Sequence, residues 1–130
     1  MKVKYWIMCA ALMALCAVVM GAFASHALKN TLSSKALDWV ETAAQYQMYH
    51  ALALLVLACI VLQTGRSLVS SLCGYSFIMG IFGFSGSLYA LAYGGPKVLV
   101  YVTPVGGLLL ILGWILLILT AIKLDTGTEH

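Results

Sequence analysis

Residues 5–28 read YWIMCAALMALCAVVMGAFASHAL, 24 positions without one Asp, Glu, Lys or Arg. A helix needs about 20 apolar residues to cross a hydrocarbon core of about 30 Å, so this stretch points to a membrane span. Three more charge-free stretches follow at 42–65, 67–96 and 98–122, of 24, 30 and 25 residues. Each is long enough for one crossing and too short for two with a turn. A transmembrane barrel would instead show alternating segments of about ten residues. The spacing predicts an all-α, integral membrane four-helix bundle, antiparallel and up-down-up-down, forming a single transmembrane domain over residues 1–130. Spans are expected near 5–25, 43–64, 70–92 and 104–122. The loop at 26–41 would hold the start of an interfacial helix.

Composition agrees. Of 130 residues, 63% are hydrophobic and 8% charged, and mean hydropathy is +1.03. Seven basic and four acidic side chains cannot coat a soluble core of this size, which excludes soluble, disordered and collagen-like classes. A net charge of +3 without a basic run leaves no nucleic-acid footprint.

Breakers mark the ends of the spans. Gly65-Arg66 allows only a short turn, Gly94-Gly95-Pro96 stops the third span, and Pro104 suits the first turn of the fourth. Ser33-Ser34 can cap a helix running into span two. Lys2, Lys4, Arg66 and Lys123 fall on one side, against Lys29, Lys35 and Lys97 on the other. The positive-inside rule then puts both termini in the cytoplasm. Ala22-Phe23-Ala24 imitates a signal-peptide cleavage site, but the preceding apolar run of about 20 residues exceeds a signal core of about 7–15. The first helix is therefore expected to be retained.

A set of motifs runs through the chain: Gly21-Ala22-Phe23-Ala24-Ser25-His26-Ala27-Leu28, Trp39, Thr42-Ala43 and Tyr46-Gln47-Met48-Tyr49-His50-Ala51-Leu52. It continues with Phe84-Ser85-Gly86-Ser87-Leu88-Tyr89, Thr103-Pro104-Val105-Gly106-Gly107 and Leu112-Gly113-Trp114. Together these resemble the YgdD/YwdK-like family of small membrane proteins, domain of unknown function 423, related to eukaryotic transmembrane protein 256. The resemblance implies four spans, a bacterial plasma (inner) membrane location and an uncleaved first helix. It implies no reaction.

Small residues recur at helical spacing. Span one carries Ala10, Ala14, Ala17, Gly21 and Ala24, and span three carries Ser76, Gly80, Gly83, Ser87 and Ala90 at the same steps. Span four has Gly106, Gly113 and Thr120 at intervals of seven. In lipid such residues let backbones approach, so they form helix-packing seams, either within the monomer or as a surface for self-association or a membrane-protein partner. The matching seams of spans one and three hint at a two-plus-two duplication.

With span two starting near residue 43, polar groups gather at one membrane face: His26, Gln45, Tyr46, Gln47, Tyr49, His50, Ser85, Ser87, Tyr89 and Thr103. Tyr46, Tyr49 and His50 share half of a helix with Gln45, while the other half shows Leu37, Val40, Ala44 and Ala51, with Gln47 as an exception. Polar side chains at this depth should turn inward, so His50 is expected to meet a polar atom of another span. Two readings stay open: a shallow aromatic pocket around His26 and His50 for a lipid head group, quinone or small polar ligand, or an aromatic belt with helix-fastening hydrogen bonds.

Other chemistry is thinly represented. His26 and His50 lie at different depths, and no Cys or carboxylate completes a ligand set, so no metal, haem or other cofactor is expected. Cys9, Cys16, Cys59 and Cys73 sit inside spans without metal spacing, and His130 beside Glu129 reads as a solvated tail. No nucleophile triad, phosphate loop or intramembrane carboxylate pair appears, which argues against an enzyme. The expected function is association with the lipid bilayer and a membrane component through the seams and the polar, aromatic face, with ligand binding or permeation as the alternative.

Overall fold

The structure, a computed structural model, describes residues 2–125; His130 and its neighbours lie outside them. Among the described residues the regular structure is helical: α1 (Val3–Ser25), α2 (Ser34–Thr64), α3 (Leu68–Ala92) and α4 (Leu99–Asp125), with a short 3-10 turn at Leu28–Asn30. All four helices are long and apolar enough to cross a membrane.

The ends follow from local chemistry. The Ser33 hydroxyl accepts the Ala36 N–H at 3.2 Å and starts α2, which runs unbroken for 31 residues. The expected interfacial start and span two are thus one helix. Gly65, at φ +82°, closes α2. Two residues later a reciprocal Ser67–Ser70 capping box opens α3, its bonds 2.9 and 3.1 Å long. Gly94, at φ +81°, follows the end of α3, where the Gly95 N–H bonds back to the Ala90 carbonyl at 2.8 Å.

Pro104 departs from expectation. It does not sit in the first turn, because α4 already begins at Leu99, where the Leu99 and Val100 N–H groups bond to the Pro96 and Lys97 carbonyls. Pro104 therefore lies inside the helix, where its missing N–H leaves the Val100 carbonyl without its helical donor.

α1 packs chiefly on α2, and α3 chiefly on α4. The seam residues Ala10, Ala17 and Ala24 are buried, whereas Gly21 has open space around it. On α3 a side chain at Gly80 would meet Leu110 at 2.5 Å, and one at Gly83 would meet the Gly106 Cα at 2.9 Å. Gly113 lies on the Phe77 ring. The main core joins Trp6, Leu54, Leu57, Cys73, Phe77 and Leu110; a smaller cluster of Ala24, Ala36, Val40 and Ala92 closes the other end.

Within α3, residues Phe82–Gly86 form one π-helical turn. This widened turn serves two neighbours: Gly83 and Phe84 press on α4, while the Ser85 hydroxyl donates to the Ala43 carbonyl of α2 at 2.8 Å. π turns inside α-helices are common at functional sites.

Candidate functional site

α2 carries the polar residues, and its long run decides where they lie. Val40 belongs to the end cluster, and His50 stands ten residues further along, about 15 Å deeper. His50 is near the middle of α2, and Trp114 is near the middle of α4. The polar groups meet α2 at staggered levels, Ser85 at Ala43, Tyr89 at Gln47 and Trp114 at His50.

The facing of α2 also differs from the pattern reading. Gln45, Tyr46 and Tyr49 point outward, with Tyr46 41% and Tyr49 50% exposed. Gln47, the exception in the sequence pattern, is buried at 6% exposure. An amide turns inward here because α1 and α3 both supply it with partners. Its Nε2 donates to the Met13 carbonyl at 2.8 Å, and its Oε1 accepts the Tyr89 hydroxyl at 2.8 Å. Gln45 instead bonds Tyr49 on the surface, at 2.6 Å.

His50 is 5% exposed. The Trp114 Nε1–H donates to its Nε2 across 3.0 Å, and its Nδ1 lies 2.6 Å from the Tyr46 carbonyl. Indole N–H can only donate, so Nε2 must accept and Nδ1 must carry the ring proton toward that carbonyl. Both ring nitrogens of the neutral tautomer are thereby used. Around this pair stand Tyr46, stacked on the imidazole at 6.0 Å, and Phe77, edge-on to Trp114 at 5.4 Å. Phe84 lies 4.9 Å from Tyr46. Between α2 and α4 the rings of Tyr46, His50, Phe84 and Trp114 frame a cleft of about 510 Å³, whose α4 wall includes Pro104, Gly107 and Ile111.

The remaining candidates are apart from this cleft. His26 caps the end of α1 and lines a shallow groove on its outer side with Phe23 and Ala27, so it does not meet His50. Ser87 and Thr103 pair at 2.6 Å between α3 and α4, and Ser85 is bound to α2 as described. Tyr89 belongs with Gln47. The residues that pattern reading overlooked are Trp114, Phe84 and Phe77. Trp114 lies 64 positions from His50, and no local spacing links them. No group of three or more His, Cys, Asp or Glu that could hold a metal occurs among the described residues.

Comparison with known sequences fits this architecture. A family model described as "Protein of unknown function (DUF423)" matches residues 20–107. The chain belongs to the DUF423 family. It is similar to a UPF0382 membrane protein of Haemophilus influenzae, 44% identical over 88% of this chain and 90% of that one. A UPF0382 membrane protein of Staphylococcus aureus is also 44% identical, over 92% and 97%. The UPF0382 inner membrane protein YgdD of Escherichia coli is 35% identical over 100% of this chain and 99% of its own length. No solved structure matches significantly. With four helices of spanning length and such relatives, the protein is a small multi-pass membrane protein, and its Escherichia coli relative is named an inner membrane protein.

Proposed function

We propose that this DUF423 protein is a non-enzymatic binding protein of the plasma membrane. In this reading it holds a planar, membrane-soluble ring, of the quinone type, in the cleft between α2 and α4. The carrying observation is the Trp114–His50 hydrogen bond at mid-length, 3.0 Å long and framed by Tyr46 and Phe84 beside an open cleft. Polar groups at such depth are costly in lipid and are retained where they have a use. Both His50 nitrogens are engaged, so the imidazole offers no free base, and the cleft presents ring faces and edges instead.

The seams speak against outward association through them, because Gly80, Gly83 and Gly106 are filled by contacts inside the chain. Between α3 and α4 the contacts Gly83–Gly106, Gly80–Leu110 and Phe77–Gly113 run in opposite directions along the two helices, which supports an up-down-up-down, antiparallel arrangement as one domain. In this reading the lysine distribution favours an orientation with both termini in the cytoplasm.

Titration of detergent-purified protein with a short-chain benzoquinone, read by tryptophan fluorescence, tests the proposal. Saturable quenching is expected, weakened several-fold in folded His50→Ala and Phe84→Ala variants. Quenching that rises without saturation, equally in wild type and variants, overturns it.

A further inference from the structure

Gln47 sits one turn before His50 on α2 and looks the other way, toward a second opening. There α1 and α3 diverge above α2, leaving a crevice of about 400 Å³. Cys9, Cys16 and Met20 form its α1 wall, and Ile81, Gly86 and Tyr89 its α3 wall. We propose that this crevice is a binding site for one hydrocarbon tail of a membrane lipid.

Its shape selects the occupant. From Cys9 to Met20 the wall runs about 16 Å at helical rise, so a volume of about 400 Å³ is drawn out into a long groove. A long apolar groove suits an extended hydrocarbon chain. A helix with its side chains is about 10–12 Å across and cannot enter, which rules against a partner span or a second copy of α1. The lining is apolar apart from Gln47, Ser85 and Tyr89, whose polar atoms are engaged with protein partners. Water therefore has nothing to hold it, and hydrocarbon fills the space.

The crevice is also propped open. Gln47 bonds the α1 backbone at Met13 with one end and the Tyr89 hydroxyl of α3 with the other, so it bridges three helices across the floor. The π turn spreads the α3 side of the same floor, carrying Phe82, Ser85 and Gly86 to the crevice while Gly83 stays on α4. Closing the gap would break the Gln47 bridge in a buried setting.

Gly86 gives a direct test. A Cβ built there meets nothing within 4 Å, so a larger side chain enters the crevice without displacing backbone. Purified protein in phosphatidylethanolamine/phosphatidylglycerol vesicles would be labelled with a palmitate carrying a mid-chain diazirine, and the labelled peptides mapped. Label is expected on residues 9–20 and 81–89 above the general lipid-facing background. It should fall several-fold in Gly86→Phe and stay unchanged in Ile118→Phe, an exposed site on α4. Circular dichroism and thermal melting in detergent confirm that both variants are folded. Label spread evenly over all four helices, or undiminished in folded Gly86→Phe, overturns the proposal. Should Gly86→Phe fail to fold, Met20→Trp on the α1 wall replaces it with the same two outcomes. The effect of His50→Ala and Phe84→Ala on benzoquinone quenching reads the other cleft, so the two sites succeed or fail separately.

Discussion

Adjacent glycines on α4 should respond in opposite ways to the same substitution. At Gly106 an added Cβ would lie 2.1 Å from the Phe84 nitrogen and 2.4 Å from the Gly83 carbonyl carbon. Both are backbone atoms, so no side chain can swing aside and α3 and α4 must separate by more than about 1 Å to reach normal contact. At Gly107 the nearest atoms are the Phe84 ring carbons at 3.6 and 3.9 Å, an ordinary contact. Gly→Ala in a helix contributes about 1 kcal/mol through backbone entropy at either position. Overpacking costs about 1–3 kcal/mol, and a backbone clash belongs at the upper end. Gly106→Ala should therefore lose about 2 kcal/mol net, while Gly107→Ala stays neutral or gains up to about 1 kcal/mol. The assay is reversible unfolding in mixed micelles of increasing SDS fraction, followed by circular dichroism. Equal midpoints for the two variants would refute the close α3–α4 crossing.

Further outcomes follow from the same contacts. Gly83→Leu should lower unfolding resistance more than Leu110→Ala, because the first drives backbones apart and the second leaves a cavity that neighbours can partly fill. Trp114→Phe keeps the edge contact with Phe77 but leaves His50 Nε2 without its donor, a loss of about 1–3 kcal/mol in the same micelle assay. Gln47→Leu should destabilise more than Tyr89→Phe, since it removes both bonds and strands the Tyr89 hydroxyl, while the Met13 carbonyl keeps its helical donor; a larger effect of Tyr89→Phe would remove Gln47 as the bridge.

The helices were legible because burial in lipid demands an uninterrupted apolar length, and charge-free runs record that length directly. Helix ends were less so. Ser33 and Gly65 act as their chemistry indicates, yet Pro104 is internal because the chain resumes its helix immediately after Pro96-Lys97. The site was legible in its residue types and not in its grouping. His50 was recognised as an inward residue that meets a polar atom of another span, and that atom is an indole nitrogen on the last helix, which no local spacing identifies. Gln47 broke the local pattern because its partners are a backbone carbonyl and a phenol on other helices, which periodicity along α2 cannot register.

By itself the sequence determined a membrane-spanning, all-helical chain with four spans and small-residue seams, since hydrophobic length and residue size are local quantities. Tertiary structure alone decided which way each seam faces, that the π turn of α3 serves two neighbours, and that His50 and Gln47, one turn apart, look into separate clefts. Those outcomes depend on which helices approach and how closely. In lipid that approach is set by backbone contact at glycines and by long-range hydrogen bonds, whose two ends lie dozens of residues apart.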